Sequence, residues 1–186
     1  MKIILVRHGQ SEANAAGIRQ GSEDNWTDTQ LSEKGINQVK KLAERLKDEK
    51  FDKIYSSNLK RAIQTAEEIN KYHDKKIIID KRLADALNKE TSKDIIKKCK
   101  SFLKSILKED KTILIIAHGS INLTIMALLT TKNKEEGGKF VKETSQHNTA
   151  VNIIEKENGE FKLKLINDIS HRDDKVDINS KWETRW

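Results

Sequence analysis

Two arginines and two histidines stand where apolar runs of this chain stop abruptly. Arg7 and His8 end "IILVRHG", Arg61 follows "IYSSNLK", and His118 ends "ILIIAHG". A guanidinium fork matches phosphate oxygens. A neutral imidazole attacks phosphorus through one ring nitrogen when an acceptor holds its other N–H. A second imidazole, protonated, stabilises the equatorial oxygens as charge spreads in the transition state. Four such groups packed together repel one another unless an anion lies among them. If the fold gathers them, it builds a site for a phosphoryl group.

The gathering falls to the elements. Residues 2–7, "FDKIYSS", "KKIIID" and "KTILIIA" read as buried strands, being short apolar runs rich in β-branched residues. Between them run amphipathic helices: "LSEKGINQVKKLAERLKDE", "NLKRAIQTAEEINKYH", "TSKDIIKKCKSFLKSILKED" and, entered directly from the last strand, "SINLTIMALLT". Ser32 is the expected N-cap of the first helix, with Ile36, Val39, Leu42, Ala43 and Leu46 on its apolar face. Ile95, Cys99, Phe102 and Ile106 form the stripe of the third, which makes Cys99 a core thiol. Asn158-Gly159 marks a closing hairpin that need not be parallel. Alternating strands and helices predict an α/β fold, a three-layer α/β/α sandwich with a mostly parallel central sheet. In such sheets ligands bind outside the carboxyl ends of the strands, and Arg7, His8, Arg61 and His118 all fall at such ends. Helices starting there add backbone N–H donors for an anion.

Composition narrows the partners. The 186 residues carry a formal charge of +7, yet the lysines are interleaved with Glu and Asp along helix faces, which reads as solvated surface. No arginine-rich arm or basic–aromatic alternation appears, so no nucleic-acid partner is expected. No apolar run reaches membrane-spanning length, and the first one is short and ends in "RHG". With a single cysteine, this predicts a cytoplasmic protein with neither membrane nor disulfide framework. No spacing of His, Cys or Asp suggests a metal ligand set, and no cofactor is expected. We expect one catalytic domain over 1–186, ending in a polar tail from 169 in which Trp182 and Trp186 either dock or fray.

"LVRHGQSEAN", "SSNLKRAIQTA" and "AHGSIN" together resemble the Arg-His-Gly, second-arginine and second-histidine motifs of the histidine phosphatase superfamily, the phosphoglycerate-mutase-like proteins. The resemblance runs from residue 2 to about 171 and agrees in order and spacing. It implies that His8 is the nucleophile and becomes phosphohistidine. Arg7, Arg61, His118 and the backbone at Gly119 would bind the phosphoryl group. Asn14 matches an asparagine that contacts phosphate, and Gln20-Gly21 a segment facing the substrate. "TQLSEKG" resembles the family's turn into the next helix, with Gln30 where a proline is usual. His171 resembles a structural histidine near the family's usual C-terminus. Of the other histidines, His73 at a helix end reads as a partner of the helix dipole, and His147 in "SQHNTA" as a residue near the rim of the site.

The resemblance breaks at the proton donor. The family usually places a glutamate there, followed by a Gly-rich loop containing another Glu. This chain has "KRLADALNKETS", which puts Asp85 at the donor position and leaves Glu90 as the fallback. The family's mutases also carry a long insertion between the acid and the second histidine, which keeps water off the phosphohistidine. Here only a helix and a strand intervene. The expected activity is therefore hydrolysis of a small phosphorylated metabolite. The alternatives are a 2,3-bisphosphoglycerate-dependent phosphoglycerate mutase and a non-catalytic phosphate-binding module.

Overall fold

The computed structural model describes residues 1–18, 28–85 and 90–173. Six strands form one sheet in the order β3-β2-β4-β1-β5-β6. They are β1 (Lys2–Arg7), β2 (Lys53–Ser56), β3 (Ile77–Ile79), β4 (Thr112–Ala117), β5 (Val151–Glu157) and β6 (Glu160–Asp168). Strands β1 to β4 are parallel, and β5 runs antiparallel to β1 and to β6. β1 pairs with β4 from Lys2↔Thr112 to Arg7↔Ala117, so Arg7 and the residue before His118 end level with each other.

Strand periodicity sorts the core into two layers. Ile4, Val6, Ile54, Leu114 and Ile116 face α2 (Glu33–Leu46) and α3 (Lys60–Asn70), meeting Leu42, Ala43, Leu46, Ala62, Ala66 and Ile69. Ile3, Leu5, Ile113, Ile115 and Ala117 face α4 (Ser92–Ile106) and α5 (Gly119–Thr130). This is the expected three-layer sandwich. Most of these side chains are wholly buried, and each Ile, Leu or Val among them contributes about 1.5–3 kcal/mol relative to exposure. Cys99 lies in the second layer, where burial pushes its thiol up to about 12 and leaves it inert.

Several local expectations changed. Ile36 is exposed, because the inward face of α2 is Gly35, Gln38, Val39, Leu42 and Leu46. β3 is only three residues long. Two helices were not foreseen: α1 (Glu12–Ala15), closed by a Ser11/Asn14 capping box, and α6 (Lys134–Glu143), which carries Gly137-Gly138 mid-helix against its propensity. At the hairpin, Asn158 and Gly159 both take positive φ (50° and 87°), as a type I′ turn requires. His73 is not a cation at a helix end. Burial, with its ring against Phe51, lowers its pKa from the ordinary value, which disfavours the charge a dipole partner needs.

Candidate active site

The site begins where β1 stops. Gly9 has to be glycine: a Cβ there would lie 2.5 Å from Val39 Cγ2 and 2.9 Å from the Gly35 carbonyl oxygen. Gly35, in the first turn of α2, is tighter still, with its own Cβ meeting the Gln10 carbonyl oxygen at 1.9 Å. The two glycines let the turn after β1 lie directly on α2. Ser32, the N-cap of α2, donates from its backbone to the Gln10 carbonyl and from its hydroxyl to Gln10 Oε1 (2.8 Å). From α3, Thr65 accepts the Gly9 N–H at 3.1 Å and donates to the Arg61 carbonyl at 2.7 Å. One hydroxyl thus ties the His8 turn to the helix carrying Arg61.

Arg61 is the hub, and it is buried. Its Nε donates to His8 Nε2 (3.1 Å), its Nη2 to His118 Nδ1 (3.3 Å), and its Nη1 lies 3.9 Å from Asp28. These bonds assign the tautomers. His8 Nδ1–H donates to the Gly9 carbonyl at 2.7 Å, so Nε2 carries the lone pair. His118 Nε2–H donates to Ser57 Oγ at 2.9 Å. The two imidazole centroids are 5.0 Å apart, tilted by 59°. Arg7, also buried, donates from Nη1 to the Gln146 carbonyl.

Electrostatics follow from this crowding. Burial first, then Arg61 and Arg7, hold His8 well below the ordinary 6.5. Burial, then Arg61, His8, Arg7 and Lys98, do the same to His118. Both rings are therefore neutral near pH 7. The protonated second histidine expected above belongs to the phosphate-bound transition state; without an anion, burial first and then the cationic neighbours hold the ring neutral, and a phosphoryl dianion among these groups opposes the shift. Burial also lowers Arg61, against the pull of Asp85 and Asp28, yet a guanidinium stays charged.

Asp85 follows a short 3-10 turn (Lys81–Leu83) that leads out of β3, and it is 8% exposed. The Ser120 hydroxyl, in the first turn of α5, donates to its Oδ1. Lys98 of α4 donates to the preceding carbonyl, Ala84 (3.0 Å), and to Glu90 Oε2 (2.6 Å). Asp85 is therefore brought to the site through Ser120 and the field of Arg61, whereas Glu90 is held by Lys98. Asn14 accepts at Oδ1 from the Ser11 N–H (3.2 Å) and Asn148 Nδ2 (3.3 Å), so only its amide N–H groups can donate to an anion. Gly119 opens α5, whose N-cap, His118, makes no side-chain cap bond; the first-turn amides are suited to an anion. Gln20 and Gly21 lie outside the described residues.

Several contributors escaped the sequence reading. Asp28 caps α3 by accepting the Lys60 N–H at 2.8 Å. Ser57 orients His118 through its hydroxyl. The loop 145–149 lies against β1's end: Asn148 Nδ2 donates to the His8 carbonyl (3.1 Å), and the Thr149 N–H is shared by the Arg7 and His8 carbonyls (3.1 and 3.2 Å). Thr149, a β-branched residue, is held at φ 60°, a costly conformation of the kind that clusters at functional sites. His147 sits in this loop, its N–H donating to Asn167 Oδ1. His171 donates to Thr149 Oγ1 and accepts from Arg45, each at 3.1 Å, which is the structural use expected of it. Trp182 and Trp186 lie outside the described residues. Among the described residues no cluster of His, Cys, Asp and Glu forms a metal site, and no helix is long and apolar enough to cross a membrane.

A layered α/β sheet gathers Arg7, His8 and His118 at two strand ends and Arg61 from the first turn of α3 into one cationic cluster suited to a phosphoryl group. The chain belongs to the histidine phosphatase superfamily (branch 1), whose model matches residues 3–88 and 84–169. It is 44% identical over 85 residues to phosphoserine phosphatase 1 of Hydrogenobacter thermophilus, a match covering 46% of this chain and 38% of that protein. It is 41% identical over 86 residues to a 2,3-bisphosphoglycerate-dependent phosphoglycerate mutase of Thermoplasma acidophilum, covering 46% and 42%. These matches thus span less than half the length of either curated relative. The fold superimposes on a phosphoserine phosphatase mutant from Entamoeba histolytica solved with phosphoserine (TM-score 0.77, 26% identity, 91% of this chain and 98% of that one). It also superimposes on a mycobacterial glucosyl-3-phosphoglycerate phosphatase (TM-score 0.76, 19% identity, 89% and 98%), which bears on the fold alone.

Proposed function

We propose that the protein hydrolyses a small phosphorylated metabolite through a phosphohistidine on His8. One observation carries this reading: the His8 Nε2 lone pair lies at 3.1 Å from the Arg61 guanidinium while Nδ1–H is committed to the Gly9 carbonyl. That is a neutral, oriented nucleophile beside the cation that would hold its target. In the first step His8 Nε2 attacks phosphorus and the ester P–O bond breaks. Arg7, Arg61, His118, Asn14 and the α5 amides carry the charge on the phosphoryl oxygens, with no metal ion required. Asp85, protonated, gives its proton to the leaving oxygen. In the second step Asp85, now a carboxylate, takes a proton from water as the water oxygen attacks phosphorus and the P–N bond breaks.

Hydrolysis is favoured over transfer because, among the described residues, α4 and β4 alone lie between Glu90 and His118, with no inserted element there to exclude water. The relatives' substrates make phosphoserine the first compound to test. Purified protein is assayed for phosphate release from phosphoserine, glycerol 2-phosphate and p-nitrophenyl phosphate, with and without chelator. Release that survives the chelator is the expected result. Isomerisation of 3-phosphoglycerate that needs a bisphosphate primer supports the mutase instead, and binding of phosphate with no turnover supports the non-catalytic module.

A further inference from the structure

We propose that Ser120 is a positioning residue for the general acid: its hydroxyl fixes Asp85 so that Oδ2 is the oxygen that carries the transferred proton. The inference rests on the reading of Asp85 as the acid.

The observation is a side-chain bond between two parts of the chain that the fold, not the sequence, brings together. Asp85 follows β3 and its 3-10 turn, at one end of the sheet order; Ser120 is in the first turn of α5, directly after His118 and Gly119. The Ser120 hydroxyl donates to Asp85 Oδ1. An aspartate carboxyl turns freely about its terminal bond, and its two oxygens are equivalent in water. A donor on Oδ1 removes the equivalence. In the acid form Oδ1 is the carbonyl oxygen, still accepting from Ser120, and the proton resides on Oδ2. When the ester bond breaks, that proton passes from Oδ2 to the leaving oxygen, and the resulting carboxylate keeps the Ser120 bond. The same donor serves both protonation states, so the step needs no rearrangement.

The surroundings explain why this aspartate needs help. Arg61 faces it from α3; Lys98 and Glu90 lie on the α4 side, with Lys98 anchoring the Ala84 carbonyl. A carboxylate left to choose its own orientation among so many cations turns toward the nearest guanidinium. Ser120 offers a fixed alternative, set on a helix whose first turn is anchored beside His118. Because α5 also begins at His118, one rigid element aligns the acid with the phosphoryl site, and a misplacement of 1 Å there costs about a hundredfold in rate.

The test uses kcat/KM, which reports only the steps up to departure of the leaving group. Glycerol 2-phosphate needs its leaving oxygen protonated; p-nitrophenyl phosphate does not. Ser120→Ala is expected to lose about ten- to a hundredfold on glycerol 2-phosphate and several-fold less on p-nitrophenyl phosphate, whose turnover also shows that the variant is folded. Ser120→Thr, which keeps the hydroxyl, is expected to restore most of the loss. In an Asp85→Asn background, Ser120→Ala is expected to add little, since it acts through that carboxyl. Equal losses on both esters, failure of Ser120→Thr to rescue, or the same penalty in both backgrounds overturns the role of Ser120. If Asp85→Asn itself slows both esters equally, the acid assignment fails, and this inference fails with it. No turnover of either ester by the wild type overturns the hydrolase reading on which both depend.

Discussion

Arg61 divides its guanidinium among His8, His118 and Asp28, and this division makes each imidazole predictable. With Nδ1–H on the Gly9 carbonyl, His8 can react only through Nε2. A rapid acid quench of the wild type during turnover, assayed for acid-labile phosphate, should trap a phosphoprotein. His8→Ala should trap none and lose activity by about a thousandfold or more; labelling of the variant at the wild-type level would move the nucleophile elsewhere. Arg7, His8 and His118 were legible in the sequence because each ends an apolar run, and Arg61 because it opens the helix that follows one. Ser57, Asp28, Ser120 and Asn148 were not legible as partners. Each is a small polar residue of a type common in turns, and its use depends on a contact with a distant segment. The lowered pKa of His118 without an anion was not legible, because sequence gives no burial, and burial is the first cause of the shift.

At the scale of elements, the approach of the β1 turn to α2 is the joint on which His8 rests. Strand ends, the Ser32 cap and the Asn158-Gly159 hairpin were readable, since local chemistry specifies each. The glycines of "RHG" and "SEKG" were read as motif letters only; their shared reason is that Gly35 lies under the Gln10 carbonyl. α6 was unreadable because Gly137 and Gly138 weaken it and no α6 residue is fully buried. Its helix is held instead by an Asn133 cap and by Phe140 and Val141 against the core. Gly35→Ala should therefore act at a distance. The added methyl meets backbone, not a movable side chain, and overpacking of this kind costs about 1–3 kcal/mol. The Gln10 turn must shift, carrying His8 with it. A lower urea midpoint together with a fall in kcat larger than any change in KM is the expected pair. An Ala variant matching the wild type in both would show that the joint is loose. Gly138→Ala is the contrasting case: nothing lies within 4 Å of its added Cβ, so higher helix propensity should raise stability by up to about 1 kcal/mol.

Across the whole molecule, the site stores a pH dependence that its surface charges do not. His8 and His118 are buried and held well below 6.5 by burial and by the arginines, and His73 is lowered by burial to a lesser degree. Unfolding releases each ring to its ordinary value. As pH falls through about 6.5, the unfolded chain takes up protons that the folded protein refuses, so unfolding becomes easier. The sign is that stability is full above 6.5 and declines below it, by up to about 1.4 kcal/mol per pH unit for each of His8 and His118 while the folded ring stays neutral, and by less for the more exposed His73. Carboxylates with lowered values, such as Asp80 beside Arg82 and Asp168 beside Arg45, act in the same direction but in a window below their ordinary 3.8. Urea midpoints measured from pH 7.5 to 5.5 at fixed ionic strength therefore isolate the histidines, and His118→Asn should flatten the slope. Inorganic phosphate supplies the other half of the argument. An anion that binds the folded site and not the unfolded chain raises stability by mass action. A dianion among Arg7, Arg61 and the two rings also opposes the lowering that burial and the arginines impose. Phosphate should thus stabilise the protein more than chloride of equal ionic strength does, and it should weaken the loss of stability between pH 6.5 and 5.5. A slope unchanged by phosphate would mean that the anion does not reach these imidazoles.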